Sequence, residues 1–164
     1  MDFEKSFSDK CKALRNSSDF KIVINKVPTE FKLVRGAGGK IVRAFAVAKD
    51  DTEFVDYVGC YYGRAICFEL KSTENKKSFP FGNIKDTQIE FLDKWIDCGG
   101  LGFYLIRFAY HNTVFMIDAK DLHGIMNAID RKSVKYETCT TDPRFIELDY
   151  KRLNFEEFIV LEEE

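Results

Sequence analysis

Three charged residues stand at a spacing that suits phosphodiester chemistry: Asp56, and thirteen residues later Glu69 followed by Lys71. In an extended strand alternate side chains share a face, so Glu69 and Lys71 project together, about 7 Å apart at the backbone. Two carboxylates can hold Mg²⁺ through hard oxygen ligands, and the ion polarises a phosphate and lowers the pKa of a bound water. A nearby ammonium orients that water and offsets charge on the phosphate. The trio suits metal-assisted hydrolysis, although a cross-strand ion pair gives the same pattern.

The segments that carry these residues predict two adjacent antiparallel strands. Residues 54–58 and 64–71 have strand-like composition and are joined by a turn bracketed by Gly59 and Gly63. When such a hairpin folds back, Asp56 comes to lie beside Glu69. One face of the hairpin then presents two carboxylates and an ammonium group.

The rest of the chain alternates between helical and extended patterns. Apolar side chains recur at three- and four-residue spacing in the predicted helices, and glycine clusters at 36–39 and 99–100 mark a turn and a helix end. The predicted helices are 3–16, 86–97, 119–129 and a last one from residue 154, and the other predicted strands are 20–25, 30–35, 41–48, 101–108 and 113–118.

Length and composition indicate one compact domain. The 164 residues are 45% hydrophobic and 32% charged, and 16 Phe, 7 Tyr and 1 Trp supply the volume of a core. No run approaches the 18 apolar residues of a membrane helix, and the polar N-terminus does not have the pattern of an export signal. Five cysteines without metal-binding spacing predict reduced thiols, which favours the cytoplasm.

Charge is unevenly distributed along the chain. Residues 1–48 carry 10 Lys or Arg against 5 Asp or Glu, a net charge of +5, whereas the remaining residues carry a net charge of −7. The window between Glu30 and Asp50 contains no acid. Lys32, Arg35, Lys40 and Arg43 lie in that window. They form either a nucleic-acid footprint or an ordinary solvent-exposed strand pair.

Residues 68–83, with the sequence FELKSTENKKSFPFGN, followed by Gln88-Ile89-Glu90, closely resemble the central motif of the RecU family of Holliday junction resolvases. This family belongs to the PD-(D/E)xK nuclease superfamily and occurs in Gram-positive bacteria and their phages. The similarity extends from about residue 3 to residue 158. Further matching tracts are Pro28-Thr29, Asp56-Tyr57 with Gly59, Tyr62-Gly63-Arg64 and Arg131-Lys132-Ser133.

The resemblance implies a role for each residue of the motif. It makes Asp56 and Glu69 the metal-binding acids, with the Leu70 carbonyl as a further ligand, and Lys71 the catalytic lysine. Gln88 matches the helix glutamine of the family, and its alternative role is a core amide bonded to a neighbouring strand.

Three other polar residues have weaker claims. Glu4 stands where related archaeal resolvases place a helix acid near the metal, and it is either an additional active-site acid or a plain surface glutamate. His111 and His123 have no partner at catalytic or zinc spacing, which favours surface histidines or histidines with satisfied hydrogen bonds.

The resemblance also assigns the acid-free window. Residues 31–49 would form a β-hairpin stalk that enters the centre of a four-way junction, where Lys32, Arg35, Lys40 and Arg43 contact phosphates. Lys76 and Lys77 are solvated loop charges or further DNA contacts. The glycine-rich tip is less basic than is usual in the family, so weaker or less selective junction binding remains open.

The expected fold is α/β, with a mixed central β-sheet flanked by helices, restriction-endonuclease-like, in a single nuclease domain over 1–164. The expected function is Mg²⁺-dependent cleavage of four-way DNA junctions by a bacterial or phage-encoded cytoplasmic enzyme, with Mn²⁺ as the alternative ion. Two opposed cuts require two sites related by a two-fold axis, hence a homodimer. A recombinase is a further partner that the resemblance allows. The alternatives are a nuclease acting on flaps, forks or duplex, and a non-cleaving DNA-binding or recombinase-modulating protein.

Overall fold

The computed structural model describes residues 3–17, 21–28, 31–35, 37–39, 41–46, 54–128, 132–149 and 153–160. Within them the chain forms five helices and ten strands. The helices are α1 (Phe3–Arg15), α2 (Asp86–Asp97), α3 (Ala119–Ala128), α4 (Tyr136–Thr141) and α5 (Phe155–Val160). The strands are β1 (Ile22–Lys26), β2 (Phe31–Arg35), β3 (Ile41–Ala46), β4 (Tyr57–Tyr61), β5 (Arg64–Thr73), β6 (Ser78–Pro80), β7 (Leu101–Phe108), β8 (Thr113–Asp118), β9 (Ser133–Lys135) and β10 (Ile146–Glu147).

Six strands form one mixed sheet in the order β1-β4-β5-β7-β8-β10. Strands β5 and β7 pair in parallel, which requires a crossover connection, and α2 lies within that connection. The other pairs in this sheet are antiparallel. The predicted α/β fold with a mixed sheet flanked by helices is therefore confirmed.

A hydrophobic core covers each face of the sheet, because side chains of β5 and β7 alternate between the two faces. On one face Phe68 lies between the rings of Tyr57 and Phe103, with centroid distances of 5.1 and 4.8 Å. Helix α1 packs on this face through Phe7, Cys11 and Leu14, the stripe that the sequence predicts. Leu92 of α2 lies in the core cluster of the opposite face, together with Tyr104.

The hairpin from β4 to β5 differs from its prediction at both ends. Strand β4 begins at Tyr57, so Asp56 occupies a bend before the strand rather than its interior. Gly59 lies within β4, where an added Cβ would come 2.1 Å from the Val23 carbonyl oxygen of β1, and the turn is made by Tyr62 and Gly63. The predicted turn at Gly59 is therefore wrong, because Gly59 serves the close approach of two strands.

Short elements are absent from the sequence-based prediction. Strands β6 and β9 pair as a separate two-stranded sheet, and β6 lies in the connection between β5 and α2. Helix α4 and the two-residue strand β10 are likewise absent from the prediction. None of the described helices has the length and apolar character needed to cross a bilayer.

The predicted stalk forms a two-stranded sheet of its own, β2 paired antiparallel with β3. The register places Lys32 opposite Phe45 and Arg43 opposite Val34, and it shifts between Val34 and Arg35. Lys40 lies outside the described residues, as does the end of the predicted second strand at residues 47–48.

Candidate active site

A cleft of about 560 Å³ surrounds the edge of β5 at its C-terminal half. Strand β4 starts opposite Phe68, so the later residues of β5 have β7 on one side and, among the described strands, no neighbour on the other. The cleft opens at that unpaired edge. Its lining residues are Phe3, Glu4, Asp56, Glu69, Leu70, Lys71, Ser72, Lys85, Gln88 and Arg107.

The two carboxylates are brought together by reciprocal hydrogen bonds between side chain and backbone. The Asp56 amide donates to Glu69 Oε2, and the Leu70 amide donates to Asp56 Oδ2, each at 3.0 Å. The Asp56 carbonyl in turn accepts from the Val27 amide at 2.8 Å. Asp56 and Glu69 are only 7% and 2% exposed. Both acids are therefore held in fixed positions with little access to bulk solvent.

Lys71 supplies the compensating positive charge. Its Nζ donates to Glu69 Oε1 at 3.1 Å and to Gln88 Oε1 at 2.9 Å. The two charged side chains are 12% and 3% exposed, so this ion pair lies where screening by water is weak. A buried ion pair contributes little net stability, whereas one partner left alone there is costly.

Gln88 links the second helix to the two catalytic candidates on β5. Its Nε2 donates to Glu69 Oε1, and its Oε1 accepts from Lys71 and from the Lys85 amide, the latter at 3.2 Å. Gln88 is 5% exposed on the first turn of α2. The predicted inward position is confirmed, and the amide bonds the side chains of Glu69 and Lys71.

Glu4 lines the same cleft from the first turn of α1. Its Oε1 lies 2.5 Å from Lys26 Nζ, and the two side chains are 47% and 40% exposed. The structure thus brings Glu4 to the cleft, as an exposed acid already paired with a lysine of β1.

The donor set has the chemistry of a Mg²⁺ site that is completed by other ligands. In the described parts of the chain no three His, Cys, Asp or Glu side chains are grouped as metal ligands. Mg²⁺ commonly binds through one or two carboxylates plus waters and substrate phosphates, which Asp56 and Glu69 can satisfy. Each carboxylate oxygen has more than one acceptor site, so their present hydrogen bonds leave capacity for a cation. The residues therefore fit the ion.

A buried polar chain lies behind Glu69, whose neighbour on β7 is Tyr104. The Tyr104 hydroxyl lies 2.9 Å from His123 Nε2, and His123 Nδ1 lies 2.9 Å from Asp93 Oδ1. Burial raises the pKa of Tyr104, and the charges of Glu69 and Asp93 raise it further. Both ring nitrogens of His123 are hydrogen-bonded, as expected of a histidine with a structural role.

Two cations that line the cleft, Arg107 and Lys85, are not among the site residues that the sequence predicts. The Arg107 guanidinium stands over the ring of Phe3 at 5.1 Å, and both residues line the cleft. One signal was available: Arg107 is the single charged residue in the otherwise uncharged strand β7. Lys85 immediately precedes α2.

Of the predicted DNA-contacting residues, the structure describes the side chains of Lys76 and Lys77. Lys76 and Lys77 follow the end of β5 and line a separate cleft. For Lys32, Arg35 and Arg43 the structure describes the backbone alone, within β2 and β3.

The comparisons with known proteins agree with one another on the sequence family. The family model described as recombination protein U, RecU, matches residues 1–160. Proteins named Holliday junction resolvase RecU are similar to the chain: that of Oceanobacillus iheyensis is 35% identical over 138 residues, covering 79% of this chain and 69% of its own. That of Shouchella clausii is 37% identical over 123 residues, covering 72% and 58%.

The chain spans between about half and seven tenths of the length of the curated relatives that it matches. Among solved structures, Archaeoglobus fulgidus Hjc, a Holliday junction resolvase from an archaeal hyperthermophile, aligns with a TM-score of 0.37 and 13% identity. That alignment covers 64% of this chain and 73% of Hjc.

Proposed function

The chain belongs to the RecU family, and from this premise we propose that it is a Holliday junction resolvase, a metal-dependent endonuclease that cuts four-way DNA junctions symmetrically during recombination and repair. The observation that carries the proposal is the convergence of Asp56, Glu69, Lys71 and Gln88 in one cleft. Two buried acids held together in this way have an obvious use in binding a cation and no obvious use in a pure DNA-binding protein.

In this proposal Asp56 and Glu69 hold Mg²⁺, with Mn²⁺ as the alternative ion, and the Leu70 carbonyl is a further candidate ligand. When bound, the ion supplies Lewis-acid stabilisation of the phosphate charge and makes the attacking water more acidic. Glu4 is a candidate additional acid at the mouth of the cleft, where its pairing with Lys26 keeps it partly neutralised.

The protein's own side chains position the attack. The Lys71 ammonium orients the water and offsets negative charge that develops on the phosphate. The water oxygen forms a new bond to phosphorus as the bond from phosphorus to one sugar oxygen breaks. The water gives up a proton to solvent and the departing sugar oxygen takes one up from solvent, so the products are a phosphate monoester and a free hydroxyl. Gln88 acts through its hydrogen bonds to Lys71 and Glu69, so it is a positioning residue. Arg107 supplies a further cation toward the phosphate.

DNA binding is assigned to the basic residues that the sequence predicts. Lys32, Arg35, Lys40 and Arg43 of the hairpin region, with Lys76 and Lys77 after β5, contact phosphates of a branched substrate. Four-way symmetry calls for two sites on a two-fold axis, so the active form is a homodimer. The single nuclease domain acts in the bacterial cytoplasm, and a recombinase is a candidate partner.

A cleavage assay tests the proposal against its rivals. Mobile four-way junction, flap, fork and linear duplex are incubated with the protein in Mg²⁺ and in chelator. Selective, chelator-sensitive cuts in two opposed junction strands are the expected result. Preferential cutting of flaps, forks or duplex would assign a different substrate, and junction binding without any cut would favour a non-cleaving recombination protein. For this assay and for the variants below, the matched control is Lys94→Gln, which replaces an exposed lysine of α2 that lines neither cleft.

A further inference from the structure

A second cleft, of about 470 Å³, lies beside the loop that follows β5. We call it the basic cleft, because three lysines, Lys76, Lys77 and Lys135, line it. All three are exposed, and Glu137 is the one acid among the described residues of the lining. The basic cleft therefore carries an excess of positive charge on a chain whose net charge is −2.

None of these three lysines forms an ion pair with an acid of the described chain. Lysines elsewhere do: Lys71 pairs with Glu69, and Lys120 with Asp97. Cations grouped without acidic partners create a local positive potential that attracts anions. The basic cleft thus offers ammonium groups without an acidic partner among the described residues, whereas Lys71 in the active-site cleft is paired with Glu69.

The backbone of the lysine loop is fixed from within. Asn75 Oδ1 accepts hydrogen bonds from the Lys77 amide at 2.9 Å and from the Ser78 amide at 3.3 Å. The Asn75 amide itself donates to Thr73 Oγ1 at 3.1 Å. Side-chain to backbone bonds of this kind stabilise a tight turn. Lys77 is therefore presented from an ordered turn.

The loop is also held from the opposite wall of the basic cleft. His111 Nε2 donates to the Lys76 carbonyl at 2.8 Å, and the Tyr136 amide donates to the Lys77 carbonyl at 2.8 Å. The His111 ring stacks on the Tyr136 ring at 3.7 Å between centroids. The ammonium group of Lys76 lies 4.0 Å from the centroid of the exposed Tyr110 ring. Such pre-ordering reduces the entropy lost when a ligand binds.

Strand β5 and the loop that follows it connect the two clefts. Lys76 and Lys77 come five and six residues after Lys71 in the chain. Two further residues of β5 follow Lys71, a rise of about 7 Å, before the loop begins. One segment of chain, residues 71–77, therefore contributes lysines to both clefts.

We propose that the basic cleft binds the sugar-phosphate backbone of a duplex DNA arm next to the bond that is cut, with Lys77 and Lys135 on opposite walls contacting phosphates. This inference deepens the proposed junction cleavage and rests on it. It adds Lys135, and the supporting pair His111 and Tyr136, to the substrate-binding surface.

The test measures junction binding in chelator at salt concentrations between 50 and 200 mM. The variants are Lys77→Gln, Lys135→Gln, the double variant, Lys135→Arg and the control Lys94→Gln. Each lost phosphate contact should lower the slope of log affinity against log salt by about 0.9, so the affinity ratio across this range shrinks about 3.5-fold for each lysine. Lys135→Arg and Lys94→Gln should keep the wild-type slope. An unchanged slope in the double variant, or an equal change in Lys94→Gln, would overturn the proposal.

Neutral phosphates identify the ligand segment. On junctions that carry methylphosphonates in place of the phosphates next to the cut bond, the defect of the double variant should disappear, because the lysines then have no charge to contact there. An equal defect on charged and on neutralised junctions would overturn the assignment to this segment. If the wild-type protein cuts junctions but the double variant keeps the wild-type salt slope, the proposal for the basic cleft is refuted and the proposed function stands. Wild-type protein that binds no branched DNA refutes the proposed function as well.

Discussion

The active-site cleft and the basic cleft lie at two ends of one segment of chain and differ in how their charged side chains are paired. In the active-site cleft, Glu69 accepts bonds from Lys71, Gln88 and the Asp56 amide. In the basic cleft, Lys77 and Lys135 have no acidic partner among the described residues, and the hydrogen bonds hold their backbone.

This difference matches two separate tasks, which are holding the groups that do chemistry in position and binding the DNA backbone. Chemistry requires like charges to be held at fixed distances, and both carboxylates are buried, with Glu69 bonded by three donors and Asp56 by the Leu70 amide. Binding a phosphate backbone requires positive potential over a wider surface, so exposed lysines suffice. Substitutions in the first cleft should therefore change the rate of the bound complex, and those in the second should change affinity.

Asp56→Asn should have the largest effect. The Asn oxygen can still accept from the Leu70 amide, so the local fold is kept while the charge that binds the cation is lost. Lewis-acid stabilisation worth several kcal/mol corresponds to a loss of about a thousandfold or more in single-turnover junction cleavage. Junction affinity should stay within about threefold of wild type, since each phosphate contact is retained. Cleavage within tenfold of wild type would remove Asp56 from the site.

Lys71→Gln should lower cleavage of the saturated complex by about a hundredfold, the effect of removing one preorganised charge-stabilising group. It also leaves Glu69 as a buried charge without its partner, which should cost about 3 to 5 kcal/mol of unfolding free energy. Adding Glu69→Gln removes the unpaired charge and should recover most of that stability in denaturant titrations. Additive destabilisation in the double variant would show that the two side chains do not interact.

Gln88→Leu tests the positioning role. We expect cleavage to fall by about tenfold, at the low end for loss of a group that orients a metal ligand. The defect should lie in the rate of the bound complex, and raising the Mg²⁺ concentration should restore part of it. Gln88→Glu, which keeps an acceptor for Lys71, serves as the comparison. A defect confined to junction affinity would contradict this role.

Substituting Lys32 and Arg43 of the hairpin with Gln should have the smallest effect on cleavage. If both contact phosphates, the salt slope of junction binding falls by about 1.8, while cleavage of saturated complex changes by less than about twofold. Binding to linear duplex provides the control, because a stalk that enters a junction centre should matter less there. An equal loss on duplex and junction would contradict a junction-specific hairpin.

Much of the fold could be predicted from the sequence because long elements have strong periodicity. The predicted bounds of α2, β7 and β8 coincide with those in the structure. The three-residue strands β6 and β9 could not be predicted, since so few residues show no alternation and their pairing depends on contacts distant in sequence.

The sequence indicates several residues of the candidate site, but not how they are arranged in space. Spacing within β5 places Glu69 and Lys71 on one face, and the inward stripe of α2 includes Gln88. No pattern indicates that Asp56 stands in a bend before β4 and exchanges backbone bonds with Glu69 and Leu70. Arg107 enters the cleft by strand pairing with β5, which only the three-dimensional fold reveals.

Cation uptake by the buried acids is the most direct test of the account. Mn²⁺ is titrated into wild-type protein and into Asp56→Asn, and free Mn²⁺ is followed by electron paramagnetic resonance, with Lys94→Gln as the control. The account predicts saturable binding at Asp56 and Glu69 in wild type and in the control, and its loss in Asp56→Asn. Equal uptake by wild type and Asp56→Asn, or none by wild type in the presence of uncut junction, would contradict it.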